Sequence, residues 1–258
     1  MSNKTINTAQ GHWILAKMGK KVLRPGGKEL TQKLIKNLII NSKDDIVEFA
    51  PGLGFTASIA LQSNPQTYTG IELNEEAAGI LRKFIKGKGR EVIIGNAAES
   101  TLNSNTYSKV YGEAMLTMQV DNRKSEIIKE ASRILKPGGL YGIHELGLQP
   151  DDMTADTKAE IQRELAQAIK VNARPLTKSE WTNLLEQEGF QVVKIETNPM
   201  HLLHPKRMID DEGLLRALKI AFNIFTHPKE RKRILAMREV FKKYENHLNA
   251  ISIVAEKK

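Results

Sequence analysis

From residue 45 onward the chain alternates between short apolar runs and longer segments whose apolar residues recur at three- and four-residue steps. The runs lie at 45–50, 67–72, 91–95, 107–113 and 139–145, and the helical spacing at 55–63, 74–86 and 121–135. Strands that alternate with helices at this spacing predict an α/β fold: a parallel sheet with helices on both faces, joined by right-handed crossovers. The stretch "ILKPGG" (134–139) reads as a helix end, with lysine in the last turn followed by proline and glycines.

The rhythm changes after Glu145. Residues 153–171 read as one amphipathic helix with no strand before it. Thr177 is the expected N-cap of the next helix, Glu180 completes a capping box, Gly189 closes the helix, and "FQVVKIET" follows as a strand. The last strand, 250–256, comes after about fifty further residues, in which Ile234, Met237, Phe241 and Tyr244 mark one buried helix face. The two helical inserts are expected to form a lid. The predicted partition is a helical segment at 1–43, a core at 44–199 with a helical insert at 150–174, a helical cap at 200–248, and the last core strand at 249–258.

Charge and composition narrow the chemistry. The 258 residues carry a formal charge of +9, unevenly placed. Residues 1–43 hold nine Lys/Arg against one acid and residues 200–258 thirteen against seven, which leaves the middle acidic. Basic flanks of this kind suit an anionic substrate, nucleic acid or an acidic membrane surface. The densest basic run, "HPKERKRI", has no interleaved aromatic residue, which argues against stacking on single strands. Cysteine is absent, excluding disulfides, thiolate metal sites and a cysteine nucleophile, and the histidines share no metal-ligand spacing with acids. The polar start and the lack of any membrane-spanning run lead to the expectation of a cytoplasmic protein.

The stretch "IVEFAPGLGFTASIA" (46–60) carries the sharpest signal. A buried strand ends on Glu48, then Ala50, Gly52 and Gly54 turn the chain into a helix. In an open parallel sheet ligands sit beyond the carboxyl ends of the strands, and this turn lies at such an end. Glu72 ends the next strand, 24 residues after Glu48, where a carboxylate suits a bidentate grip on two ribose hydroxyls. The third strand ends in Gly95-Asn96-Ala97, offering an amide to an adenine edge. Ala57 and Ser58 stand where a dinucleotide fingerprint has its third glycine, so a pyrophosphate cradle is not indicated.

In order and spacing, "VEFAPGLG", "IEL", "GNAAE", "YSKVYGEAMLTM", "RILKPGGLYGIHEL" and "LLEQEGFQVV" resemble the class I S-adenosylmethionine-dependent methyltransferases, nearest to the small-molecule branch that includes quinone-type enzymes. Ala50 stands where that family usually has glycine, and Asn96 where it usually has aspartate. The resemblance implies a Rossmann-like sheet of seven strands, the last antiparallel and slotted beside the fifth, with S-adenosylmethionine as cofactor. It also implies that Glu48 lies near the cofactor's amino end, that Ala50, Gly52 and Gly54 face it, and that Glu72-Leu73 and Asn96-Ala97 hold its nucleoside. Arg24, in "LRPGGKEL", is the candidate partner of its carboxylate.

Methyl transfer is an in-line displacement that needs alignment, water exclusion and sometimes a base. His144 and Glu113, at the ends of the fifth and fourth strands, are the candidate catalytic groups. Met115 and Met118 are expected as an adaptable apolar wall, with His12 and His201 as substrate contacts from the flanks. The basic lid, through Lys206, Arg207 and Arg216, points to an anionic or amphipathic small-molecule acceptor. The absence of an "NPPY" or "DPPY" segment argues against methylation of nucleobase amino groups, so a nucleic-acid partner is not favoured. An RNA methyltransferase and a non-catalytic cofactor-binding subunit are the alternatives, and a homodimer is compatible with either.

Overall fold

The structure, a computed structural model, describes residues 10–258. The part of the expected N-terminal segment at 1–9 lies outside the described residues. Strand β1 (Asp45–Phe49) shows how the interior is filled. Side chains alternate faces along a strand. Val47 and Phe49 enter one apolar cluster with Val110, Ile127 and Trp181, while Ile46 enters another with Leu34, Tyr68, Leu81 and Tyr111. Both faces are therefore covered, as a parallel sheet requires.

Strands β2 (Thr67–Glu72), β3 (Arg90–Ile94), β4 (Tyr107–Glu113) and β5 (Leu135–Leu148) pair in parallel around β1. A two-residue strand β6 (Leu176–Thr177) adds to β5, and β8 (Leu248–Lys257) runs antiparallel between β5 and β7 (Phe190–Pro199). The order β3-β2-β1-β4-β5-β8-β7 is the Rossmann-like arrangement, with seven strands in the main path and the last slotted beside the fifth. The chain order reverses between β1 and β4, so a crevice opens beyond Phe49 and Glu113.

One local expectation is corrected. The helix before β5 ends at Ile134, and Leu135 already pairs with Tyr107. Residues 136–139 then bulge out, with Gly138 at φ 73°, before pairing resumes between Leu140 and Lys109. Pro137 has no N–H for the ladder, so "KPGG" makes a strand bulge instead of a separate turn.

Helices α1 (Gly11–Lys17) and α2 (Gly27–Asn37) precede the sheet, and α3 (Phe55–Ala60), α4 (Glu75–Phe84) and α5 (Asp121–Ile134) are the crossovers. Gly142 of β5 lets α2 approach: a Cβ there would meet Leu34 and Leu38 at 2.8 and 3.2 Å. The late elements are α6 (Ala155–Ile169), α7 (Lys178–Gln187), α8 (Pro205–Glu212), α9 (Leu214–Thr226) and α10 (Pro228–Lys243). α7 carries the expected Thr177–Glu180 capping box. Ile234, Met237 and Tyr244 are buried and Phe241 packs against them, in a cluster shared with Ile14 and Leu15 of α1 and Ile161 and Leu165 of α6.

A buried polar joint ties this cap to the N-terminal segment. Glu212 accepts from the Lys21 and Val22 N–H groups at 2.8 and 2.9 Å, and Asp211 accepts from Lys28 N–H at 2.8 Å. The Lys20 ammonium lies 3.6 Å from Asp211 and 3.8 Å from Glu212, with all three side chains out of solvent. A buried charge is tolerated only with counter-charges beside it.

Candidate active site

A cavity of about 290 Å³ lies in the crevice beyond β1 and β4. Its floor comes from Ala50, Pro51, Gly52, Leu53 and Phe55 of the β1–α3 turn, Glu72 of β2, and Glu113 to Met118 of the β4 end. α1 and residues 21–25 form one wall; Ile169, Met200, Leu202, Met237 and Phe241 form an apolar wall.

The two glycines of the turn are needed for different reasons. Gly52 sits at φ 57° with nothing within 4 Å of where its Cβ would be, so the space beside it is open to a ligand. Gly54 sits at φ 79° as the N-cap of α3, and a Cβ there would collide with Phe84 and Leu81 of α4. Gly54 therefore answers to packing and does not line the cavity. Ala50, at φ 51°, does line it, in a left-handed conformation that favours glycine.

Glu72 anchors the turn. Its carboxylate accepts from Gly52 N–H at 2.9 Å and from Asn74 N–H at 2.8 Å. Each oxygen keeps acceptor capacity toward the cavity. Burial raises its pKa against these backbone bonds. Leu73 is 47 % exposed and, like Asn96 and Ala97, lies off the cavity; Asn96 Oδ1 accepts from Ala98 N–H at 3.1 Å.

Glu48 is turned away from the cavity. It shares the Ile46 face, where its Oε2 accepts from the Tyr68 and Tyr111 hydroxyls at 2.7 and 3.0 Å. Burial pushes its pKa up to about 7 despite those bonds. The expected contact with the cofactor's amino end is thus not made by this side chain. The folded value lies above the ordinary 4.5, so the stability linked to Glu48 is complete below about pH 4.5 and is lost as pH rises through about 7. Glu48→Gln is expected to flatten that limb and to be more stable than the unaltered protein at about pH 8, by about 1–3 kcal/mol. Urea melts at about pH 5 and pH 8 check this; equal losses in both proteins would overturn it.

Glu113 is the hub of a buried charge cluster. Arg24 Nη1 lies 3.0 Å from its Oε2, Thr31 donates to its Oε1 at 2.8 Å, and Thr56 donates to Oε2. His144 Nδ1 lies 2.6 Å from Oε1, and His144 Nε2 lies 2.5 Å from the Pro25 carbonyl. Burial opposes ionisation of Glu113, but Arg24, His144 and Thr56 outweigh it and hold the pKa at about 2. Each His144 nitrogen faces an oxygen of the protein, so both are taken up by contacts within the fold. The ring is fully buried behind Glu113 and has no nitrogen free for a substrate. The expectation of His144 as a base facing the acceptor is corrected: it braces Glu113 against the N-terminal segment. Arg24 lines the cavity and lies 5.0 Å over the Phe55 ring, yet its charge is engaged by Glu113.

His12 does line the cavity, with its ring 5.0 Å from that of Trp13. Burial pushes its pKa down to about 4, so it is neutral near pH 7. Met115 and Met118 line it as expected. His201 does not; it stacks on His204 at 4.3 Å, while its neighbours Met200 and Leu202 reach the wall. The lid cations also lie elsewhere. Arg207 pairs with Glu29, Arg216 with Glu212, and neither they nor Lys206 line the cavity, whose cations are Lys21 and Arg24.

Sequence reasoning missed Glu145 and Thr117. Buried Glu145 accepts from the N–H groups of Met115, Leu116 and Thr117 at 3.0, 2.8 and 2.9 Å, and from the Thr117 hydroxyl at 2.7 Å. It thereby shapes the loop that carries both methionines. The signal available was an acid following His144 at a strand end; its direction into the fold is set only by tertiary pairing. Among the described residues no group of three His, Cys, Asp or Glu could hold a metal ion.

The fold matches known proteins. A family model described as a methyltransferase domain matches residues 47–143. The [4+2]-cyclase SpnF superposes with a TM-score of 0.74 at 14% identity, over 97% of this chain and 93% of its own. A phosphoethanolamine N-methyltransferase of Haemonchus contortus, solved with S-adenosylhomocysteine, superposes with a TM-score of 0.72 at 15% identity, over 97% of this chain and 58% of its own. Residues 47–143 thus carry a methyltransferase domain, on a fold shared with S-adenosylmethionine-dependent methyltransferases. The chain is 33% identical over 251 residues to an uncharacterized protein of Haemophilus influenzae, covering 96% of this chain and 98% of that one. It is also 24% identical over 184 residues to an uncharacterized methyltransferase of Synechocystis, covering 70% and 84%.

Proposed function

We propose that the protein transfers the methyl group of S-adenosylmethionine to a small amphipathic acceptor held in the same cavity. One observation carries the reading: the Gly52 cradle and the Glu72 carboxylate open into a space whose far wall is the apolar face of α1 and α10. The residues present fit the cofactor. Glu72 accepts hydroxyl hydrogen bonds from its ribose, the open side of Gly52 admits its chain, and Leu73, Asn96 and Ala97 lie at the neighbouring strand ends for its adenine. When bound, the cofactor supplies an electrophilic methyl on a sulfonium. Met115, Met118, Met237 and Phe241 exclude water and hold an apolar acceptor body in line. Lys21, whose ammonium forms no ion pair among the described residues, favours an acceptor with an anionic or phenolic end.

His12, neutral on the cavity wall, is the group placed to take a hydrogen bond or a proton from the acceptor. His12→Gln is expected to lower kcat by about 10²–10³-fold at unchanged cofactor affinity. The direct test is calorimetry with S-adenosylmethionine, then transfer of labelled methyl to a panel of phenols, carboxylates and amines with apolar bodies. Transfer to acceptors of this kind supports the reading. Cofactor binding with turnover only on RNA would overturn the acceptor class.

A further inference from the structure

Helix α9 turns two apolar faces in opposite directions. On the inward side Ala217 and Ile220 are buried, and the Asn223 amide donates to the Met18 carbonyl at 2.9 Å, which sets the rotation of the helix on the N-terminal segment. On the outward side Leu214, Leu215, Leu218, Phe222 and Phe225 are 58%, 85%, 58%, 64% and 71% exposed. At 100° per residue these five fall within one face about 100° wide, along a helix about 20 Å long. Two phenylalanines and three leucines facing water on one helix form a contiguous patch of the kind that marks an interaction site.

The charges beside the patch are predominantly basic. No Asp or Glu occurs from residue 213 to 227, Lys219 flanks the apolar face, and Lys229, Arg231 and Lys232 follow, with Glu230 among them held by Lys17. The Arg231 guanidinium lies 5.7 Å from the Phe225 ring, at the edge of the patch. Across residues 200–248 eleven Lys/Arg stand against six acids.

We infer that the outward face of α9 docks on an anionic lipid surface, with the leucines and phenylalanines entering the headgroup boundary and the basic rim pairing with lipid phosphates. An apolar face rimmed by cations is complementary to such a surface on both counts. A second copy of the chain is a poorer occupant. A two-fold contact through this face would set Lys219 and Arg231 of each copy against the same cations of the other, and like charges at an interface oppose binding. Among the described residues no helix is long and apolar enough to cross a membrane, so the contact is peripheral. α9 packs on α10, whose Met237 and Phe241 line the cavity, so the docking face and the acceptor wall belong to one cap. The inference rests on the surface alone and is read without cofactor or acceptor.

The test is sedimentation of the full chain with vesicles of phosphatidylcholine, alone or with about one-third phosphatidylglycerol. Binding to the anionic vesicles, weakened by salt and slight on the neutral ones, is expected. Leu215→Glu with Phe222→Glu changes only exposed side chains away from the cavity. It is expected to weaken vesicle binding on the order of a hundredfold with circular dichroism and cofactor affinity unchanged. Lys219→Gln is expected to weaken it about fivefold, as one cation near a charged surface contributes. A chain that stays in the supernatant with both vesicles, or a double variant that binds as well as the unaltered protein, overturns the inference. So does a dimer, by light scattering, that the double variant converts to monomer, because a second copy then covers the face.

Discussion

Glu113→Ala is expected to destabilise the protein by about 3–5 kcal/mol, the cost of leaving a buried ion without its partner. Here the Arg24 guanidinium, 3.0 Å away, would be left without its counter-charge, and the His144 ring, 2.6 Å away, would lose its partner. The hydroxyls of Thr31 and Thr56 would lose their acceptor as well. Because Glu113 is held at about 2, below its ordinary 4.5, the stability it contributes is present above about pH 4.5 and is lost as pH falls toward 2. The variant is therefore expected to lose both the stability at neutral pH and much of the acid limb. Denaturant melts as a function of pH read both. Glu113→Gln separates charge from shape: it keeps the volume, and a loss close to that of alanine identifies the charge as the cause. A variant as stable as the unaltered protein would show that the cluster contributes nothing net. The consequence reaches the site, since this cluster fastens residues 24–31 over the cavity that Glu113 and Arg24 line.

The second large effect is on cofactor affinity. Glu72→Ala is expected to weaken S-adenosylmethionine binding by about 10- to 150-fold, or 1.5–3 kcal/mol, the range for hydrogen bonds to a charged group. Two losses add in this direction. The ribose would lose its acceptor, and the Gly52 and Asn74 N–H groups would lose theirs, so the turn that forms the cradle loosens. Glu72→Gln is not a rescue, because its amide turns a donor toward one of those two donors. Calorimetry with the cofactor gives the affinity, and a parallel melt shows whether the fold survived. An unchanged dissociation constant for a folded variant would remove Glu72 from the binding site.

How much of this was legible beforehand differs by residue. The place of Glu72 on the cavity was readable because the signal is local: an acid closing a buried strand, in a sheet whose ligands lie at strand ends. Glu48 has the same local signature, one strand earlier, and faces the other way. Parity decides which side of β1 it takes, but only the packing of Tyr68 and Tyr111 shows that this side is interior. Gly52 and Gly54 read alike as turn glycines; the difference is Phe84, thirty residues on from Gly54, which fills the space beside it. His144 read as a base from its place at a strand end. Its second nitrogen is occupied by the carbonyl of Pro25, 119 residues away in sequence. His12 and His201 read alike as contacts from the flanks, and only the folding of α1 over the crevice separates them: His12 lines the cavity and His201 does not.

The sequence by itself determined the alternation of strands and helices, the family they compose, the capping box at Thr177 and the acid at the end of β2. These follow from periodicity and from short-range turn and cap chemistry, which act between residues a few positions apart. Only the tertiary structure decided which carboxylates face the cavity, which histidine lines it, and which face of α9 is left in water. Those are questions of burial and of partners brought together from distant segments. A titratable side chain takes its role from what surrounds it in space, and neighbours in the chain carry little of that information.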